Sequence, residues 1–232
     1  MGRLAAIVLV FLLVLAVAAC GGGGKKAQST PATSTSAAHR DPGKAALASF
    51  LEAAKRHDAA ALWGLLSSPS RERLGPSLAL FRRTSAATIE QALVPFERGG
   101  NELVLSRPTG PSFGLVAIRS GVRALAVPLR KEGSAWKIET PGPITIDISG
   151  PQPGSSGPVG KVAVELHGVH GVGEAGLFLD GSPLGAKVTV GRGSATVYAN
   201  LAQAAPAGLH VAVAYAQFGR NVSALAWTFR AA

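Results

Sequence analysis

Two periodicities divide the chain. From Pro42 to Leu66 large apolar residues recur three and four positions apart: Leu47, Phe50, Leu51 and Ala54, then Leu62, Trp63, Leu65 and Leu66. Lys44, Glu52, Lys55 and Arg56 fall largely outside the first stripe, so the spacing predicts an amphipathic helix. It should open at Asp41-Pro42, where a capping carboxylate precedes a proline suited to the first helical position. Asp58 is placed to cap a second helix from Ala59 to Leu66, and Ser67-Ser68-Pro69-Ser70 should break it. Shorter helical pieces are expected around Arg71 to Leu74 and Ser85 to Val94, before Gly99-Gly100.

Beyond those glycines the period drops to two, as a sheet requires. Leu103 and Leu105, Val116 and Ile118, Leu125, Val127 and Leu129, Trp136 and Ile138, then Ile144, Ile146 and Ile148 each mark one face of a strand. Ser120-Gly121 and Glu132-Gly133-Ser134 supply turns. Helices followed by an antiparallel meander predict an α+β cone over residues 41–149, its curved sheet wrapping the first helix. A stretch rich in Pro, Gly and Ser from Ser149 to Pro158 then breaks the pattern, and residues 150–158 are expected to be a linker.

Residues 159–232 read as β throughout. Val162, Val164 and Leu166 alternate, as do Val197, Ala199 and Leu201, then Leu209, Val211, Val213 and Tyr215, and finally Leu225, Trp227 and Phe229. Asp180-Gly181, Gly191-Arg192-Gly193 and Gly219-Arg220-Asn221 mark hairpins, and strands this short at this spacing predict a β-sandwich.

At the other end, Leu4 to Val17 form an apolar run behind Arg3, of signal-peptide length and short for a mature membrane span. It closes on Val17-Ala18-Ala19-Cys20, which holds the only cysteine and resembles the lipobox of bacterial lipoproteins, with Val17 where that family usually has Leu. The resemblance implies that residues 1–19 are a signal peptide recognised through Val17, Ala18 and Ala19. Cys20 would become the first residue of a protein held at the extracytoplasmic face of the cell membrane by diacylglycerol and a fatty acyl chain such as palmitate. Residues 20–40 contain no apolar side chain larger than alanine after Cys20 and are expected to be a disordered tether. Such a tether would hold the folded part on the order of 25 Å from the membrane.

The net charge of +10 suggests nucleic acid until it is divided along the chain: +4 over residues 1–40, +4 over 41–150 and +2 over 151–232. No basic stripe interleaved with aromatics emerges, which argues against nucleic-acid binding. An acidic surface fits better, since Lys25 and Lys26 beside an acylated Cys20 would each add about 1 kcal/mol of attraction to anionic headgroups.

The run Ala46-Leu47-Ala48-Ser49-Phe50-Leu51-Glu52-Ala53-Ala54, with Asp58, Leu62-Trp63, Leu65-Leu66 and the strand Ala135-Trp136-Lys137-Ile138, resembles the NTF2-like superfamily. That resemblance implies a cone whose cavity serves binding, pairing of two copies through the open sheet face, or catalysis. Gly176-Leu177-Phe178-Leu179-Asp180-Gly181, Ala207-Gly208-Leu209-His210-Val211 and Ala224-Leu225-Ala226-Trp227-Thr228-Phe229 resemble bacterial immunoglobulin-like domains, which implies a spacer or contact module.

Isomerases and dehydratases on an NTF2-like cone need an inward carboxylate or histidine and a donor such as tyrosine. Tyr198 and Tyr215 both lie in the second module. Asp58 reads as a cap, Glu139 and Asp147 as polar-phase strand residues, and His57 as the end of an exposed helix. His167 and His170 would lie on opposite faces of a strand, and neither they nor His210 are accompanied by a carboxylate or thiol at a ligand spacing. Asn221-Val222-Ser223 reads as a turn. The expectation is therefore a lipid-anchored, non-catalytic envelope protein with no cofactor beyond its acyl anchor. Its cone would bind an apolar small molecule, a lipid or a protein segment. A filled cone would leave a structural interaction protein, and an inward carboxylate of raised pKa would favour an isomerase or dehydratase.

Overall fold

The computed structural model describes residues 41–171 and 173–232. Val17, Ala18, Ala19 and Cys20, with the expected signal peptide and tether, lie outside the described residues. Helix α1 (Pro42–Lys55) starts where the sequence places it: Asp41 Oδ1 accepts from Gly43 N at 2.9 Å and Lys44 N at 3.2 Å, with Pro42 in the first turn. Asp58 starts α2 (Ala59–Leu65) by accepting from Ala61 N at 2.9 Å. The second helix stops before Ser67 as expected, but Ser67 also caps α3 (Ser68–Leu74), accepting from Ser70 N at 3.2 Å, so the third helix starts three residues before Arg71. Ser77 likewise caps α4 (Leu78–Thr84), which the sequence pattern did not indicate. Helix α5 (Ala86–Leu93) runs into a short 3-10 turn, Val94–Phe96.

Four antiparallel strands follow in chain order: β1 (Glu102–Pro108), β2 (Phe113–Ser120), β3 (Arg123–Glu132) and β4 (Ala135–Ile138). Next come β5 (Thr145–Gly150), β6 (Ser156–Gly157), β7 (Lys161–His167), β8 (Gly173–Leu179), β9 (Ser182–Pro183), β10 (Lys187–Val190), β11 (Ser194–Asn200), β12 (Gly208–Phe218) and β13 (Asn221–Ala231). They build a second sheet, β10-β11-β7-β5, and a third, β6-β13-β12-β8-β9.

Strand β5 does not close the first sheet as its isoleucines suggested. It pairs with β7 in the second, Ile146 opposite Leu166 and Ile148 opposite Val164. Pro141 and Pro143 lack the amide a continuing ladder needs, so the chain leaves the first sheet there and buries Ile144 in the sandwich core.

All described residues belong to one unit, stacked in four layers. The helices pack on one face of the first sheet through Leu47, Phe50, Leu62, Leu66 and Phe81 against Val116, Ile118, Val127, Leu129 and Ile138. The opposite face of that sheet, Leu105, Phe113, Leu115, Ala117 and Ala126, is covered by Phe178, Val211, Val213, Tyr215, Val222, Ala224 and Ala226 of the third. The third sheet's other face packs on the second to complete a β-sandwich, with Leu177, Trp227 and Phe229 meeting Val162, Val164, Leu166 and Val197. Strands β2, β3, β12 and β13 are thus covered on both faces. The face expected to accept a second copy of the chain is occupied by the chain's own third sheet. Hydrogen bonds stitch this seam, including Thr109 Oγ1 to Tyr215 Oη at 2.7 Å and Thr228 Oγ1 to Val122 O at 2.5 Å. Among the described residues, no helix is long and apolar enough to cross a membrane.

Candidate functional site

A binding cone requires room between the helices and the first sheet. That space is filled: Leu62, Leu66 and Phe81 are fully buried in it, with Phe50 from α1 and Val127 and Leu129 from β3 packed alongside. What opens from this core is a cleft of about 270 Å³ at its edge, with Phe50, Leu93, Val127, Ile138 and Glu139 among its walls.

At the margin of that core sits Glu139, only 2% exposed and so not the solvated strand residue its sequence position implied. Strand β4 ends at Ile138, so alternation no longer governs Glu139, which turns inward. Its Oε2 accepts from Ser67 Oγ at 2.7 Å and Arg130 Nε at 2.6 Å; its Oε1 accepts from a terminal nitrogen of Arg73 at 2.9 Å. Burial pushes the Glu139 pKa up, but the hydrogen bonds from Arg130, Ser67 and Arg73, reinforced by the Arg130 charge, hold it below its ordinary value. An ionised carboxylate with both oxygens engaged ties α3 to the first sheet. It is not poised to remove a proton. No local motif announces the cluster, because Ser67 and Arg73 lie 72 and 66 residues away along the chain.

The other acids and histidines separate. Asp58 is the cap of α2, as its position before Ala59 indicated. Asp147 is exposed and lies 3.3 Å from His167 Nε2. His57 lies in the turn just past α1 at a positive φ of 53° and bonds Glu90 through Nδ1 at 2.8 Å, which raises its pKa. His170 lies in the loop after β7. His210 is buried, with Nδ1 2.7 Å from Asp180 Oδ2 and Nε2 2.7 Å from Pro206 O. Among the described residues, no three His, Cys, Asp or Glu side chains gather closely enough to hold a metal ion.

What remains open are clefts. One of about 360 Å³ lies beside the start of α1, between Asp41, Ser106, Arg107, Gly114 and Trp136. A Cβ on Gly114 would come within 3.2 Å of the Trp136 ring, so glycine lets the indole lie against the strand. A second, of about 270 Å³, runs along β3 between α5 and β13, with Ile89, Leu93, Leu125, Val127 and Leu225 among its walls. It adjoins a wider hollow of about 660 Å³ reaching Arg123, Trp227 and Arg230, and the two share Ala92, Ala124, Leu225 and Ala226.

No known protein family and no curated protein matches the chain. Among solved structures it is similar to the methionine-rich copper resistance protein PcoC of Escherichia coli, at 19% identity and a TM-score of 0.27 over 38% of this chain and 98% of that one. It is also similar to the endo-beta-1,4-mannanase of Thermotoga petrophila, at 13% identity and a TM-score of 0.30 over 38% of this chain and 20% of that one. A tandem pair of titin immunoglobulin domains gives 10% identity and a TM-score of 0.28, over 52% of this chain and 62% of that one. Likenesses this distant carry no argument about function.

Proposed function

We propose that the chain is a lipid-anchored protein of the cell envelope, held at the extracytoplasmic face through Cys20, that acts by binding a partner and not by catalysis. In this reading residues 41–149 are an NTF2-like module whose cone is filled, and residues 159–232 an immunoglobulin-like module laid across its outer face. The observation that favours it is the packing of Leu62, Leu66 and Phe81 where a ligand or substrate would otherwise sit. Glu139, its pKa held low and both oxygens engaged by Ser67, Arg73 and Arg130, is too weak a base and too occupied to serve an isomerase. Function then falls to the surface, which matches the expected interaction protein more closely than a carrier. The Trp136 cleft keeps a second reading in view, in which a small apolar group docks on the indole beside Gly114.

Both parts are testable in bacterial cells fed an alkyne-tagged palmitate. Label should enter the full-length protein and vanish in Cys20→Ser, with the protein leaving the membrane fraction. Amine-reactive crosslinking of intact cells should give discrete protein adducts of the wild type. Retained label in C20S would overturn the anchor. A protein that yields no crosslinked adduct and copurifies with a small apolar molecule, one displaced by Trp136→Ala, would overturn the interaction reading.

A further inference from the structure

The groove along β3 is bounded by two unfinished sheets. Its ladder with β4 spans only Leu129 to Glu132, followed by the bond from Glu139 N to Pro128 O at 2.9 Å. That bond fixes the phase of the strand. Carbonyls and amides of even-numbered residues of β3 point away from β2, so the main chain of Ala124 and Ala126 faces the groove with no strand beyond it among the described residues. Strand β13 repeats the arrangement. Thr228 O accepts from Gly154 N at 2.8 Å, and β6 pairs only with Arg230 and Ala231, leaving the groove-side main chain of Ala224 and Ala226 without a neighbouring strand. Thr228 meets Val122 at one end and Arg220 meets Arg130 at the other, so these open edges run antiparallel to each other.

An open edge next to an apolar trough is suited to adding a strand. Ile89 and Leu93 form the helical wall and Leu225 part of the opposite wall, while the alanines let another backbone come close. From Pro128 to Arg123 the edge has room for about six residues, roughly 20 Å of extended chain. Charge marks its end. Arg98 and Arg123 line one hollow there and Arg123 and Arg230 the adjoining one, and none of the three makes an ion pair among the described residues. Of the acids adjoining in sequence, Glu102 pairs with Arg119, while Glu97, next to Arg98, keeps a buried Oε1 without a hydrogen-bond partner among the described residues.

We propose that this groove takes the C-terminal segment of a partner protein as an added strand, paired antiparallel to β3, with its terminal carboxylate at Arg98, Arg123 and Arg230. The direction follows from the chain, since a peptide antiparallel to β3 starts opposite Pro128 and ends at Arg123. Alternate side chains would point toward the helical wall and toward β13. The proposal rests on reading the chain as an interaction protein, but it fails separately: crosslinked partners lost on no groove substitution would leave that reading intact and remove this one.

The test uses the full-length lipidated protein in nanodiscs against a library of random octapeptides displayed with free C termini. Enriched peptides should alternate apolar residues and lose at least tenfold in affinity when their terminal carboxylate is amidated. Ala126→Pro, which removes one groove-facing amide, and Arg123→Glu should each lower affinity by a similar factor. On the wild type, saturating peptide should slow hydrogen exchange at the Ala124 and Ala126 amides, a readout independent of how well A126P folds. No enrichment, binding indifferent to both substitutions and to amidation, or occupancy of the groove by a fluorescent fatty acid alone would overturn the proposal.

Discussion

Thr109 and Tyr215, 106 residues apart in sequence, meet at 2.7 Å across the seam between the first and third sheets, and Tyr215 Oη in turn donates a hydrogen bond to Gln217 Oε1 at 2.7 Å. Burial, offset in part by the Thr109 bond and aided by Glu174, pushes the Tyr215 pKa up to about 12. Tyr215→Phe should cost about 1 kcal/mol, the net worth of a buried hydrogen bond. For a chain of this size that is a fall of roughly 2–4 °C in Tm, read by calorimetry. It should also abolish the late step, near pH 12, of an absorbance titration of the tyrosines.

Glu139→Gln should be among the most damaging single changes, because it strands the guanidinium of Arg130, whose side chain is only 15% exposed. Loss of one member of a buried pair costs about 3–5 kcal/mol, and the partial exposure of Arg73 places this case toward the lower figure. With its folded pKa below the ordinary 4.5, the native state holds fewer protons than the unfolded chain across that interval. Its contribution is complete above about pH 4.5 and drains away as pH falls through the folded value. Urea melts should show an acid limb in the wild type that is flatter in E139Q.

His210 behaves with the opposite sign. Both ring nitrogens face acceptors, the Asp180 carboxylate and the Pro206 carbonyl, and only the doubly protonated ring can donate to both. Burial lowers its pKa, but the bonds to Asp180 and Pro206 outweigh burial and raise it above 6.5. The native state therefore holds more protons than the unfolded chain in that range. The stability it adds is full below about pH 6.5 and lost as pH rises through the folded value. His210→Gln should remove this alkaline decline from a series of melts between pH 5 and 9.

Two glycines at positive φ, one in each of two two-residue hairpin loops, separate strain from contact. Gly121, at φ 59°, would meet nothing with an added Cβ; Gly181, at φ 82°, would drive it to 2.3 Å from the Val104 carbonyl of the first sheet. Gly121→Ala should cost about 1 kcal/mol through backbone strain alone. Gly181→Ala should cost at least twice that by denaturant melts, the difference measuring how tightly the β8–β9 turn seats on β1.

Helix starts were legible wherever one side chain supplies the cap, as at Asp41 and Asp58. Ser67 and Ser77 escaped because a serine near proline or glycine reads equally as a break. Alternation located most strands, but it assumes one wet face. Ala212, Ala214 and Ala216 therefore looked like the outer phase of β12 when they are buried against the second sheet. A register shift between Leu103 and Leu105 defeated the pattern locally, exposing the first and burying the second. Glu139 was unreadable for a different reason. Its inward turn depends on where β4 stops, and two of its partners come from a helical segment some seventy residues earlier. The open edges of β3 and β13 follow from strand lengths fixed only by the assembled sheets.

Alanines dominate the close approach of β3 to β13: Ala124 and Ala126 on one side, Ala224 and Ala226 on the other. A methyl group cannot be enlarged there without wedging two sheets apart, nor removed without loosening a strand. Enlarging any one of the four should therefore be tolerated only with a matching reduction on the facing strand. The first and third sheets can be altered at this seam only as a pair, because removing the third would leave Leu105, Phe113, Leu115, Ala117 and Ala126 bare.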